Sequence, residues 1–174
     1  MSPSKEDKGL LDPTKREGLS KGDARFLEII DKYGWHVMSV APLVDEEGHC
    51  FSYSTGLFMR FRHPEIILCG LDPETSRLII NGIGNKVKAG KKFEKEKGYS
   101  GVFGEGMKCQ FRPVLFANYG EYVCWASWFC EYAEFPVLQC FWPDKKGHFP
   151  WDKKCDPDVV SGQPMLFLQA PSVM

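Results

Sequence analysis

Three side chains in this 174-residue sequence are the candidates for moving protons near neutral pH: His36, His63 and Glu65. An imidazole changes charge close to neutrality, which suits it to general acid–base work or metal ligation. His63-Pro64-Glu65 sets an imidazole and a carboxylate on either side of a rigid proline, a spacing that an acid/base pair could use. The same tripeptide has a structural reading: Pro64 pushes His63 out of helical backbone, and Glu65 opens a strand at a polar edge. Tyr53, Ser54 and Thr55 precede Gly56. A hydroxyl before glycine can mark a nucleophile or a phosphate loop, but neither the GxSxG elbow nor the Walker spacing is present, so Gly56 reads as a bend or bulge.

A second group has the chemistry of recognition. Trp35, Tyr53, Thr55, Gln139, Trp142, Asp144 and Trp151 combine large apolar bodies with polar tips, the kind of residue that lines pockets and interfaces. A zinc site lacks its signature. No CxxC or HExxH occurs, and the adjacent His49 and Cys50 would point to opposite faces of a strand. His36, His63 and His148 supply no closer ligand spacing, so no metal and no cofactor is indicated. Lys86, Lys88, Lys91, Lys92, Lys95 and Lys97 outnumber Glu94 and Glu96, with Phe93 and Tyr99 between them. That stretch reads as a solvated helix end and loop, and nucleic acid is disfavoured as a partner.

These residues need elements to position them. Phe26, Ile29, Ile30 and Tyr33 fall on one helical stripe, with Asp23 as N-cap and Gly34 as the stop. Residues 35–43 and 49–56 read as a β-hairpin closed by a polar turn at 44–48. Residues 66–69 read as a strand buried on both faces. Asp72, Pro73 and Glu74 open a second helix, with Leu78, Ile79, Ile83 and Val87 on its apolar side. A strand at 107–117, a helix at 119–133 capped by Asn118, and a strand at 137–142 follow. Residues 165–168 have two readings, a last edge strand docked on the sheet or a loose end. This order lacks a regular βαβ period, so the expected class is α+β, a mostly antiparallel sheet with two to three helices packed on one face.

Composition bounds the rest. Lys and Arg number 22 against 23 Asp and Glu, and 43% of residues are hydrophobic. A chain of this size can bury roughly 70% of its unfolded surface, enough for a core without disulfides or metals. Residues 1–22 read as a charged tail without a secretory signal, 23–151 as the domain, and 152–174 as a second tail. No apolar run is long enough to cross a membrane. The seven cysteines, an odd number without paired spacing, read as reduced core thiols in a cytoplasmic protein.

Five short motifs then stand in order: Gly34-Trp35-His36-Val37; Phe51-Ser52-Tyr53-Ser54-Thr55-Gly56-Leu57; His63-Pro64-Glu65; Phe135-Pro136-Val137-Leu138-Gln139 with Trp142-Pro143-Asp144; and Phe149-Pro150-Trp151. Over about residues 23–151 the sequence resembles the Domain of Unknown Function 4262 family. The resemblance implies a soluble, mainly bacterial domain and carries no activity, substrate or catalytic residue. The leading expectation is a non-catalytic module that binds a small molecule or a protein through an aromatic and histidine-lined surface. The alternative is a small hydrolase or lyase using His36 with His63 or Glu65.

Overall fold

The structure is a computed structural model and describes residues 3–43, 46–104 and 106–168. Helix α1 (Lys21–Tyr33) starts one turn earlier than the sequence suggests. Ser20 is its cap, and Asp23 closes a reciprocal capping box from the third helical position. Gly34 stops it at φ +102°, a conformation open to glycine. Phe26, Leu27 and Ile30 are buried, whereas Tyr33, placed on the apolar stripe, is exposed.

Strands β1 (His36–Val40) and β2 (Phe51–Thr55) pair antiparallel with His36 opposite Thr55. Positions 44 and 45 of the expected turn lie outside the described residues. A short helix absent from the sequence reading follows, α2 (Leu57–Phe61), entered through Gly56 at φ +117°. Strand β3 (Glu65–Cys69) leads to α3 (Pro73–Lys88), capped by Asp72 with Pro73 in the first turn. Its buried side is Ile80, Ile83, Gly84 and Val87, while Leu78 faces solvent.

The lysine-rich loop contains a further strand, β4 (Gly98–Ser100), paired with β5 (Lys108–Pro113). The single helix expected at 119–133 is two short ones, α4 (Tyr119–Tyr122) and α5 (Cys124–Phe129), broken at Val123. Asn118 does not cap them: its amide donates instead to the Leu166 carbonyl at 2.9 Å. Strand β6 (Val137–Phe141) and helix α6 (Pro157–Gly162) complete the fold. Residues 165–168 form no strand. Leu166 is buried there, and its N–H donates to the Gln139 amide oxygen. At the other end of the chain, Leu10, within the stretch read as a charged tail, is 5% exposed and joins the core.

One six-stranded sheet runs β1-β2-β3-β6-β5-β4. β3 and β6 pair parallel and the other pairings are antiparallel, so the sheet is mixed. Alternation along the strands splits the core in two. Tyr53, Ile67, Cys69 and Val137 face α1, α4 and α5. Ile66, Leu68, Leu138 and Cys140 face α3. The α+β class with one sheet stands, with two corrections: the helices cover both faces, and the described residues hold six α-helices. The central strands β3 and β6 need cover on both sides because all five residues of each are buried. All seven cysteines are free thiols, five of them buried.

Candidate functional site

The parallel pairing brings two proline-led strand starts together. Glu65 lies opposite Val137, and its N–H donates to the Pro136 carbonyl at 3.0 Å. Glu65 is fully buried. One carboxylate oxygen accepts from the Ser54 hydroxyl at 2.5 Å, the other from the N–H of Gly56 at 2.8 Å and of Phe58 at 3.1 Å. It therefore caps α2 from a neighbouring strand. Burial raises its pKa to about 7, against the lowering effect of the bonds from Ser54, Phe58, Gly56 and Leu57.

His63 is held equally firmly. Its Nε2 accepts from the Phe93 N–H at 2.9 Å, which assigns the ring proton to Nδ1, and that N–H donates to the Pro64 carbonyl at 2.8 Å. Burial favours the neutral ring and lowers its pKa. His63 thus ties the loop after α3 to the start of β3.

His36 opens β1 opposite Thr55. Its ring packs on Phe26, with centroids 4.7 Å apart, in a cluster with Trp125 and Trp128. Burial lowers its pKa too. Its Nδ1 and the Thr55 hydroxyl, on facing residues of the hairpin, are buried without hydrogen-bond partners among the described residues. Among the described residues neither His63 nor Glu65 hydrogen-bonds to His36; their own partners are Phe93 and Pro64 for His63, and Ser54, Gly56 and Phe58 for Glu65.

The recognition candidates spread over the sheet. Trp35 packs against α3 and donates to the Asn81 side chain at 3.0 Å. Tyr53, on the other face, accepts from the Trp125 N–H at 3.1 Å. Gln139 holds the C-terminal segment at Pro164 and Leu166. Trp142 lies beyond the opposite end of β6, its indole N–H donating to the Cys69 carbonyl at 3.0 Å. Asp144 organises the following turn. Burial would raise its pKa, but N–H donors from His148, Asp156 and Lys146 outweigh that and hold it down to about 2. Trp151 stacks on Phe149 and meets Phe141 edge-on. Motif residues at Trp35, His63 and Glu65 therefore sit near one end of the sheet, and those at Trp142 and Asp144 near the other.

Where β3 and β6 begin, the surface opens into a cavity of about 690 Å³. Phe58, Phe93 and Phe135 wall it together with Pro64, Pro113 and Pro136, and His63 reaches its lining. Arg62, Lys92, Lys95, Glu94 and Glu134 supply the charge. Glu94 pairs with Lys97, and the Arg62 guanidinium lies 5.1 Å from the Phe58 ring while donating to the Lys5 and Asp7 carbonyls. Lys92 and Lys95 form no ion pair among the described residues.

The model of the family described as "Domain of unknown function (DUF4262)" matches residues 29–156. The chain belongs to the DUF4262 family. No curated protein and no solved structure matches it. Among the described residues of this DUF4262 domain, no three His, Cys, Asp or Glu side chains group as a metal site would need, and no helix is long and apolar enough to cross a membrane. Sequence reasoning passed over Phe58, Arg62, Phe93, Lys95 and Phe135 as site residues. A signal existed: His63-Pro64-Glu65 and Phe135-Pro136-Val137 both place a proline just before a buried strand, and strands that start alike can start side by side.

Proposed function

We propose that this DUF4262 domain is a non-catalytic binding module whose site is the cavity at the starts of β3 and β6. Its ligand class is a small molecule with a flat apolar body and an anionic group. The observation that carries this reading is the lining itself: three phenylalanines and three prolines, with the exposed Lys92 and Lys95, which form no ion pair among the described residues. Pockets of this size, mostly apolar with a few polar groups, are where small molecules are held. The polar atoms of His63 and Glu65 are engaged in holding the walls, which favours binding over proton transfer. A cytoplasmic setting fits a chain whose seven cysteines are all free thiols.

The test is titration with naphthalene-2-carboxylate, followed by amide shifts of Phe93 and Leu138 and by calorimetry. Saturable binding is expected, at least tenfold weaker for the Lys92→Glu/Lys95→Glu double variant and for uncharged 2-naphthalenemethanol. Shifts confined to residues remote from the cavity, or equal affinity for the variant, would overturn the proposal.

A further inference from the structure

We infer that Arg112 forms an oxyanion-binding site, separate from the cavity above, for a carboxylate or phosphate group. Arg112 is on β5 opposite Gln139. The Gln139 amide grips the chain at Pro164 and Leu166, and the following residue, Phe167, comes over Arg112. The guanidinium carbon lies 4.5 Å from the Trp151 ring centroid and 5.4 Å from that of Phe167. Those two rings meet edge-on at 77°, so they form a corner around the cation.

The clamp contacts the guanidinium through aromatic surface and, among the described residues, offers its Nε–H no acceptor. Nε is buried and has no hydrogen-bond partner, and Arg112 makes no ion pair among the described residues. A half-buried guanidinium without a carboxylate is costly, because desolvation is offset only by cation–π attraction. An oxyanion placed in the guanidinium plane at its outer Nη edge would accept two parallel N–H bonds and offset part of that cost. A flat cation fixed by rings has already lost the freedom that such a bond would otherwise cost it. The partner is thus defined by chemistry: a two-oxygen anionic edge, as on a carboxylate or a phosphate.

The experiment uses the full chain, with sodium acetate and inorganic phosphate as separate probes at constant ionic strength. The Arg112 side-chain Nε–H resonance is followed by ¹⁵N–¹H correlation, and Tm is recorded in parallel. Saturable movement of that resonance with acetate assigns a carboxylate site, and movement with phosphate alone assigns a phosphate site. Arg112→Lys, which keeps the charge but loses the fork, should bind at least tenfold more weakly, and Arg112→Met should abolish the saturable part of the Tm rise. Phosphate also stabilises proteins by exclusion from their surface, so an equal Tm rise in Arg112→Met would overturn the proposal. So would an Nε–H resonance that neither anion moves, and that measurement needs no variant to fold.

Discussion

Gly84→Ala puts the role of Trp35 to a direct test. A Cβ built on Gly84 falls 2.5 Å from both Cε2 and Cζ2 of the Trp35 ring. On the same helix, a Cβ on Gly82 meets nothing within 4 Å. Alanine in place of glycine inside a helix ordinarily stabilises by about 1 kcal/mol. At position 82 that gain stands alone. At position 84 it is opposed by overpacking, about 1–3 kcal/mol. The ring must also move off its bond to Asn81, at about 1 kcal/mol. The sum is a net loss of about 1–3 kcal/mol for Gly84→Ala. For a chain of this size that lowers Tm by roughly 2–12 °C, against a rise of roughly 2–4 °C for Gly82→Ala. Urea unfolding at constant m, with thermal unfolding by circular dichroism, reads both. If the two variants move stability together, Trp35 is not a close-packed element of the core, and its assignment to the α3 face is wrong.

Three further outcomes follow from the same contacts. Glu65 has a raised folded-state pKa of about 7 against the usual 4.5. The unfolded chain therefore ionises first, and this group's contribution to stability is complete below pH 4.5 and lost as pH rises to about 7, by about 3 kcal/mol in all. Part-buried His36 and His49 and buried His63, with lowered pKa values, slope the other way. The comparison is thus wild type minus Glu65→Gln across that range, and parallel curves would refute it. His63→Ala strands the buried Phe93 N–H and should cost at least about 1–3 kcal/mol. Hydrogen exchange at Phe93 should quicken, and unchanged protection there would show that the ring does not tether the loop. Deleting residues 1–19 removes buried Leu10 and the Arg16–Asp31 pair. A loss of at least about 2 kcal/mol is expected, mostly from Leu10, and an unchanged Tm would mean that the segment rests on the domain without supporting it.

Elements held by local signals were legible in the sequence. Helix α3 carries Asp72, Pro73 and regular apolar spacing, and β1, β2, β3 and β6 lie in the strands read from alternation or apolar runs. What escaped depends on distant partners. Helix α2 has five residues and no side-chain cap of its own at the Gly56 position; Glu65, from the next strand, supplies the acceptor. Strand β4 has three residues in a Lys/Gly-rich stretch and exists through its pairing with β5. The break at Val123 divides a stretch whose apolar side reads as one continuous helix. Placement of helices on both faces follows from β3 and β6 being buried on each side, which a run such as Ile66-Ile67-Leu68-Cys69 suggests but cannot orient. The surroundings of the candidate groups depend on distant partners in the same way. His63 and Glu65 stand out in the sequence, but their partners do not: the Phe93 N–H thirty positions from His63, and for Glu65 the Ser54 hydroxyl and the backbone of α2.

Those partners explain how the cavity arises. β3 and β6 run in the same direction, so their starts lie side by side, and each start follows a proline. Proline offers no N–H and disfavours helical backbone in the residue before it, so each strand is entered through a non-helical step. The segments that lead in, 62–64 and 134–136, line the cavity. Glu65 fixes one wall by capping α2, which carries Phe58. His63 fixes another by holding Phe93 and the lysine-bearing loop. In the proposed binding site the His63 and Glu65 side chains thus act as brackets, and Phe58, Lys92 and Lys95 are the groups left to meet a ligand. Changes at His63 or Glu65 should then register in stability before ligand affinity, and changes at Lys92 or Lys95 in affinity with stability kept. A variant at His63 that kept full stability but lost binding would reverse this assignment and make the imidazole a ligand contact.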